Sequence, residues 1–480
     1  MNDYVRFIQR IGLVGLTNIL ISLSSLIFIP IITKSFTTAE YGMWAQVNTT
    51  IALVPNIANL GLPYTMVRFL SAEKDKEKIK ESFYPMISLT FISTLILCGL
   101  FLIFGNAIAD ALFNGSMQVL YITTAISFFA CMNLMLISYF RTFQQMKRYS
   151  IFLILQSYIG VFVSIYLTYA GYNIETVVLG LLTGYAAVFI MMAFLIVRHL
   201  GIGIGKWSNL KEQLAFAIPT IPSNISSWVV DSSDKYVIGI LIGSVAVGCY
   251  SPGYALGSIL LMFLSPFAVL LPAVLPEHYE KGDINEVYKY LSYSMKYYML
   301  LTVPAAVGMS VLSKPLLYII TTPEIALGGY MVTPFVCLGA IFMGMYGITN
   351  NILILEKNTM ILGKLWIIVA IVNLGLNILL IPYLNILGAA IATLISYIIA
   401  FTVTAIASKK VMRLPFNIKE LSKIILASAI MGAVVYIMHP IGIFNVLISI
   451  AVGVIVYFVL LFILKGITLK EIAIFKDLLH

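Results

Sequence analysis

The chain has 480 residues, of which 61% are hydrophobic and only 10% charged, with a formal net charge of +9 and a mean hydropathy of +1.00. An ordinary soluble domain is about 45–50% apolar, so a water-soluble globular protein is excluded. Apolar runs of about 18 residues or more, long enough as helices to cross a hydrocarbon layer roughly 30 Å thick, recur from end to end and predict an all-α polytopic membrane protein.

The N-terminal MNDYVRFIQR precedes a long apolar run without the short apolar core and cleavage site of a secretory signal, and reads as the start of a first transmembrane helix. Spans follow near 11–34, 43–67, 83–105, 118–140, 150–170, 175–197, 213–241, 246–275, 292–313, 331–354, 360–382, 386–407, 423–440 and 444–464, about fourteen in all. An even number puts both termini on one side. Of the 29 Lys and Arg residues, all but Lys34, Lys235 and Lys314 fall in loops on that side, so the positive-inside rule predicts cytoplasmic termini. The basic charge is dispersed and lacks an aromatic platform, which argues against nucleic acid as a partner. Cys98, Cys131, Cys249 and Cys337 lie in apolar runs without a CxxC motif or a nearby histidine; they read as small core residues, and no metal site is expected.

An internal repeat organises these spans. EYGMWAQ, from Glu40, follows the first span as AVGCYSP, from Ala246, follows the seventh, with Gly42 matching Gly248 at an offset of 206 residues. A fainter echo pairs LLTGYAAVF, from Leu181, with TLISYIIAF, from Thr393. The economical architecture is an N-terminal six-helix bundle (1–200), a C-terminal six-helix bundle (201–410), and an added helix pair with a cytoplasmic tail (411–480). Six is even, so the bundles share one orientation as parallel repeats, with a central cavity at their interface as the natural substrate path.

The seventh span carries the rarest feature, SSWVVDSSDKYVIG from Ser226 to Gly239, with Asp231, Asp234 and Lys235. If Gly248 opens the eighth helix as Gly42 opens the second, the seventh runs through this stretch to about Leu241. The trio then lies in its outer third, within the membrane or close to it. Each such group costs roughly 2.5–3.5 kcal/mol at mid-span, so the three are expected to face a wet cavity and each other, with Asp231 and Lys235 one turn apart on one face. The alternative is an earlier helix end, with DSSDK in a solvated loop. Pro219 and Pro222, in AIPTIPSN, are candidate helix breaks beside the cluster. Gln46, Asn48 and Asn56 in the second span, with Asn18, Asn59 and Gln156, are candidates either for lining a wet path or for interhelical hydrogen bonding.

Three segments carry a family resemblance. DSSDKYVIGILIGSVAVGCYSPGYALG, VNLGLNILLIPYLNILGAAIATLISY from Val372 to Tyr397, and NLGLPYTMVRFLSAE from Asn59 to Glu73 together resemble the polysaccharide-unit flippases (Wzx-type) of the multidrug/oligosaccharidyl-lipid/polysaccharide exporter superfamily. The resemblance spans the chain. It implies two six-helix bundles in a bacterial or archaeal plasma membrane, moving a glycan on a polyprenyl pyrophosphate to the outer leaflet for O-antigen- or capsule-type polysaccharide. It implies no catalytic residues and no cofactor, leaves coupling to H+ or Na+ open, and suggests a polysaccharide polymerase and glycosyltransferases as partners. Lipid II flippases are similar in fold but carry several arginines in the first helix, and residues 11–33 here have neither Arg nor Lys. A cation-coupled multidrug exporter of the same superfamily is the alternative, with a membrane-embedded polymerase more distant: the outer loops are short and nearly uncharged, as in NAIADALFNGS from Asn106, and offer no acid/base pair.

Overall fold

The computed structural model describes residues 3–203, 205, 207, 210–356, 359–413, 416 and 418–466. The expected cytoplasmic tail, 467–480, lies outside the described residues. Among them the chain is helical, with no strand, and forms two compact units, Met1–Gly248 and Cys249–His480.

In the first unit, α1 spans Asp3–Ser35, α2 Thr38–Ala58, α3 Leu62–Leu70, α4 Lys76–Ile103, α5 Gly105–Leu112 and α6 Met117–Thr142. It continues with α7 (Met146–Tyr169), α8 (Ile174–Val177), α9 (Leu179–Leu200), α10 (Leu210–Ala217), a 3-10 turn (Ile218–Thr220), α11 (Ile221–Ile242) and the start of α12 (Ser244–Ser258). Local sequence signals set several boundaries. Thr37 and Glu40 form a capping box at α2: the Thr37 N–H donates to Glu40 Oε2 at 2.9 Å, and the Glu40 N–H donates to Thr37 Oγ1 at 3.3 Å. Asp75, Ser116 and Asn173 cap α4, α6 and α8 with their side chains alone, each accepting a first-turn N–H.

In the second unit, a 3-10 stretch (Ile259–Leu264) leads to α13 (Ser265–Glu280), α14 (Ile284–Ile320), α15 (Pro323–Gly329), α16 (Val332–Leu355), α17 (Thr359–Leu384), α18 (Ile386–Ser408), α19 (Ile418–Ile437) and α20 (Gly442–Ile463). One buried cluster joins Leu291, Tyr298 and Val303 of α14 to Ile348 of α16, Met431 of α19 and Tyr457 of α20. The Tyr457 hydroxyl donates to the Leu300 carbonyl at 2.8 Å. The final helix pair is therefore packed into this unit. Two helices outrun the spans read from hydropathy: α13 ends at Glu280, and the 37 residues of α14 begin at Ile284, making α14 about 56 Å long. Polar residues marked the edge of the apolar run there without ending the helix, and the pairs Lys281–Glu277 at 2.6 Å and Lys289–Glu286 at 2.5 Å support the exposed turns.

Twelve helical segments among the described residues are long and apolar enough to cross a membrane. This is a multi-pass membrane protein. The second and seventh spans fall outside the twelve on polarity, not on length: α2 and α11 have 21 and 22 residues, about 32 Å each. With them the count reaches the fourteen expected. Both lie in the first unit, and they pack against each other.

Candidate functional site: the polar seam of the second and seventh helices

The sequence repeat has a spatial counterpart. A Cβ added at Gly42 would lie 1.9 Å from the Ser244 carbonyl oxygen, and one at Gly248 would lie 2.1 Å from the Thr38 carbonyl oxygen. Thr38 stands to Ser244 as Gly42 stands to Gly248, so equivalent residues touch reciprocally, the signature of a local twofold relation. Only glycine lets the backbones of α2 and α12 approach so closely.

One turn beyond Gly42 on α2, Gln46 is 1% exposed, and its Nε2 donates to the Lys235 carbonyl oxygen of α11 at 2.8 Å. The Gln46 Oε1 is buried without a hydrogen-bond partner. One turn on, Thr50 Oγ1 lies 2.9 Å from the Gln46 carbonyl and 2.7 Å from the Tyr236 hydroxyl. The Tyr236 ring packs on Trp228, centroids 5.5 Å apart, and the Trp228 indole N–H is itself buried without a partner. Gly239 leaves the space that Gln46 fills: a Cβ there would lie 2.1 Å from Nε2. The seam is thus a clasp of side-chain amide, hydroxyl and phenol groups between helices.

Along the rest of α2, Asn48 is exposed and Asn56 half-buried. Their Nδ2 groups donate to the carbonyls four residues earlier, Trp44 at 2.9 Å and Ala52 at 2.8 Å. Positions 48, 52 and 56 share one helical face, distinct from the face of Gln46 and Thr50. The structure therefore divides the candidates on this helix: Gln46 is used in the clasp, while Asn48 and Asn56 lie on another face.

On α11 the helix runs unbroken through DSSDK to Ile242, which excludes the solvated loop. Asp231 lies at the midpoint of α11, and Asp234 and Lys235 lie about two-thirds of the way along it, at the edge of the outer third expected. Asp234 is 0% exposed, and its Oδ1 accepts the Lys235 N–H at 2.7 Å. Asp231 is exposed and Lys235 half-buried.

The break expected at the proline pair is a single 3-10 turn containing Pro219, with Pro222 in the first turn of α11. A second break faces it. Asn59, Leu60 and Gly61 separate α2 from α3, Leu60 and Gly61 having φ of 49° and 74°, and a Cβ at Gly61 would lie 2.4 Å from both the Ala217 carbonyl and Thr220 Oγ1. Asn59 is buried and donates to the Cys131 carbonyl at 3.2 Å. Gln156 accepts from Asn133 Nδ2 at 2.9 Å, and Asn133 also donates to the Tyr185 carbonyl at 2.9 Å, linking α6, α7 and α9.

Sequence reasoning did not select Thr50, Trp228, Tyr236, Gly239 or Asn133. A signal existed for two of them: Thr50 is one turn from Gln46, and Gly239 one turn from Lys235. In the second unit, Asn373 and Asn377, part of the segment that carried the family resemblance, are fully buried and hydrogen-bonded to each other at 3.1 Å. Asn373 Nδ2 and Asn377 Oδ1 have no partner. Among the described residues no cluster of three His, Cys, Asp or Glu suited to a metal ion is found.

Comparison with known proteins agrees with this picture. Over its full length the fold is similar to a solved lipid II flippase MurJ in an inward closed conformation, with a TM-score of 0.77 and 21% identity, covering 98% of this chain and 100% of that one. It is also similar to an inward-facing multidrug resistance MATE family transporter of the MOP superfamily, with a TM-score of 0.67 and 14% identity over 82% of this chain and 94% of that one. Among curated proteins it is 23% identical over 250 residues to the "Probable low-salt glycan biosynthesis flippase Agl15" of Haloferax volcanii, a match covering 52% of each chain; the chain thus spans about half the length of that relative. A MatE family model matches residues 219–382. The polysaccharide biosynthesis protein model matches residues 7–275, more than half of the sequence and the whole of the seam just described, and the chain belongs to that family.

Proposed function

We propose that the protein is a flippase, moving oligosaccharide repeat units linked to a polyprenyl pyrophosphate from the cytoplasmic to the outer leaflet by alternating access, for surface polysaccharide of the O-antigen or capsule type. The observation that carries this reading is the ionisable trio within α11, with Asp234 fully buried, in a family of polysaccharide biosynthesis proteins. A diphosphate headgroup requires a cation at membrane depth, and Lys235 is one of three basic residues outside the basic loops. Lys235 meets the phosphate, and Asp231, one turn before it, holds the lysine between cycles. Asn48 and Asn56, on the face of α2 away from the Gln46 clasp, hydrogen-bond the sugars. The lipid tail stays in the bilayer, no bond is broken, and no cofactor is used. Asp231 and Asp234 are the groups through which H+ or Na+ coupling would act. Both termini are cytoplasmic, by the distribution of Lys and Arg, and a glycosyltransferase set and a polymerase act before and after the transfer.

Cells lacking the protein should accumulate completed lipid-linked units on the cytoplasmic side. Lys235→Ala should lower surface glycan by about 10- to 100-fold, the value of a charge-assisted phosphate contact of roughly 1.5–3 kcal/mol, at unchanged protein level, while Lys235→Arg retains most of it. Normal surface glycan in Lys235→Ala would refute the assignment. The MatE match over residues 219–382 supports a second reading, a cation-coupled multidrug exporter, for which drug sensitivity would be the sole phenotype of the deletion.

A further inference from the structure

The second unit holds a cavity of about 620 Å³ where the end of α14 meets the turn between α19 and α20, lined by Val311, Lys314, Tyr318, Val435, Tyr436 and His439 among others. This end of α14 lies opposite Lys289, and the turn lies opposite Lys423 and Lys465, so the cavity opens at the membrane face away from the basic loops. Lys314 is one of the three basic residues that the loops do not account for. Its ammonium sits 5.7 Å from the centroid of the Tyr330 ring, and among the described residues no carboxylate pairs with it. His439 has φ of 42° at a helix end where glycine or asparagine is the usual residue, and its ring lies 5.4 Å from that of Tyr436. A lysine, a histidine and two tyrosines, Tyr318 and Tyr436, thus line one opening.

A second cavity, of about 320 Å³, adjoins it along α14 and shares Val435. Leu312, Leu316, Met431 and Val454 line it together with other apolar side chains. The two together form a polar mouth over an apolar groove, the shape of an amphiphile. We infer that this end of α14 and α19 binds an anionic bilayer phospholipid, its phosphodiester held by Lys314 and His439 and an acyl chain lying in the groove along α14. One ammonium matches the single charge of a phosphodiester, and the hydroxyls of Tyr318 and Tyr436 donate to its remaining oxygens. The apolar groove favours a lipid over a free anion. This site is independent of the substrate path proposed on α11.

The test is native mass spectrometry of the purified full-length protein titrated with phosphatidylglycerol, with phosphatidylcholine as the zwitterionic control. The wild type should retain one phosphatidylglycerol about tenfold more tightly than Lys314→Gln, and Lys314→Arg should bind as the wild type. His439→Asn keeps the left-handed turn, because asparagine tolerates that conformation, and should weaken retention without altering thermal unfolding. Equal retention by the wild type and by the Lys314→Gln/His439→Asn double variant would overturn the inference. So would displacement of the lipid by millimolar inorganic phosphate, which would make the site one for a soluble anion. Preferential displacement by polyprenyl diphosphate would assign the site to the transported lipid and overturn it as well.

Discussion

Adding one methyl group at Gly239 tests whether the α2–α11 seam is as tight as the geometry makes it. In Gly239→Ala the new Cβ falls 2.1 Å from Gln46 Nε2 and 3.5 Å from Val247 Cγ2. The valine contact is ordinary, so the strain falls on the amide, which must leave the Lys235 carbonyl it holds at 2.8 Å. Overpacking of this kind costs about 1–3 kcal/mol, and loss of the hydrogen bond about 0.5–1.5 kcal/mol. The helix propensity of alanine returns about 1 kcal/mol, leaving a net destabilisation of about 1–3 kcal/mol. Gln46→Ala removes the side chain that collides, together with the buried Oε1 that has no partner. The double variant should therefore be more stable than the sum of the singles predicts, by about 1–3 kcal/mol of coupling. Equilibrium unfolding in mixed micelles by SDS titration measures all four corners of the cycle. Additivity of the two substitutions, or a stabilised Gly239→Ala, would refute the clasp.

Three further outcomes are expected. Gly42→Ala and Gly248→Ala should each cost about 3 kcal/mol or more and lower the folded yield in the membrane, because the atoms they strike, the Ser244 and Thr38 carbonyl oxygens, are backbone and cannot rotate away; wild-type yield from either would exclude the reciprocal contact. Single cysteines at Lys76, Gln145, Lys281 and Lys410 should resist an impermeant thiol reagent in intact cells while those at Asn114 and Asn173 react, and the reverse pattern would invert the topology. Glu73 accepts the N–H groups of Asp75 and Lys74, each at 2.9 Å, and these bonds, that to Asp75 foremost, hold its carboxyl below the ordinary carboxylate range. Its support for the α3–α4 loop is then complete above the unfolded value and is lost as pH falls through the folded one. Proteolysis in that loop should rise with acidification more steeply in the wild type than in Glu73→Gln, where only the Asp75 cap of α4 still titrates.

Much of the fold was legible because a bilayer makes composition and position nearly the same statement. A run of about twenty apolar residues has few places to be except across the membrane, and even the two polar spans were recovered, since the repeat placed Gly42 and Gly248 at matching helix starts. Hydropathy was a poorer guide to where helices end. It marks the edge of the hydrocarbon, and α13 and α14 continue into water on the strength of ion pairs that a hydropathy window scores as polar loop. The candidate site was legible in residue type more than in direction. The sequence names Gln46, Asn48 and Asn56 alike as polar groups of one helix; which of them turns toward α11 is decided by a partner 189 residues away, and no local periodicity contains that information. Gly61 was read within the ending of the second helix, and its role in a break is visible only against Ala217 and Thr220.

The two helices too polar to face lipid are the two that face each other, and this follows from how a bilayer treats unsatisfied groups. A buried amide or hydroxyl in hydrocarbon costs several kcal/mol unless it finds a partner, so Gln46 and Thr50 of α2 are tolerable where Lys235 and Tyr236 of α11 answer them. The pairing also couples the breaks. Helix two is interrupted at Asn59–Gly61 and helix seven at Ile218–Thr220, and the space at Gly61 is closed by Ala217 and Thr220, while the clasp at Gln46 holds the same two helices farther along. Helices joined both at their breaks and along their length cannot bend independently: tilting α11 about Pro219 while α2 and α3 stay fixed would either drive Thr220 into Gly61 or pull the Lys235 carbonyl off Gln46. Any motion of the charged trio relative to the rest of its unit must therefore carry α2 with it, or break the clasp.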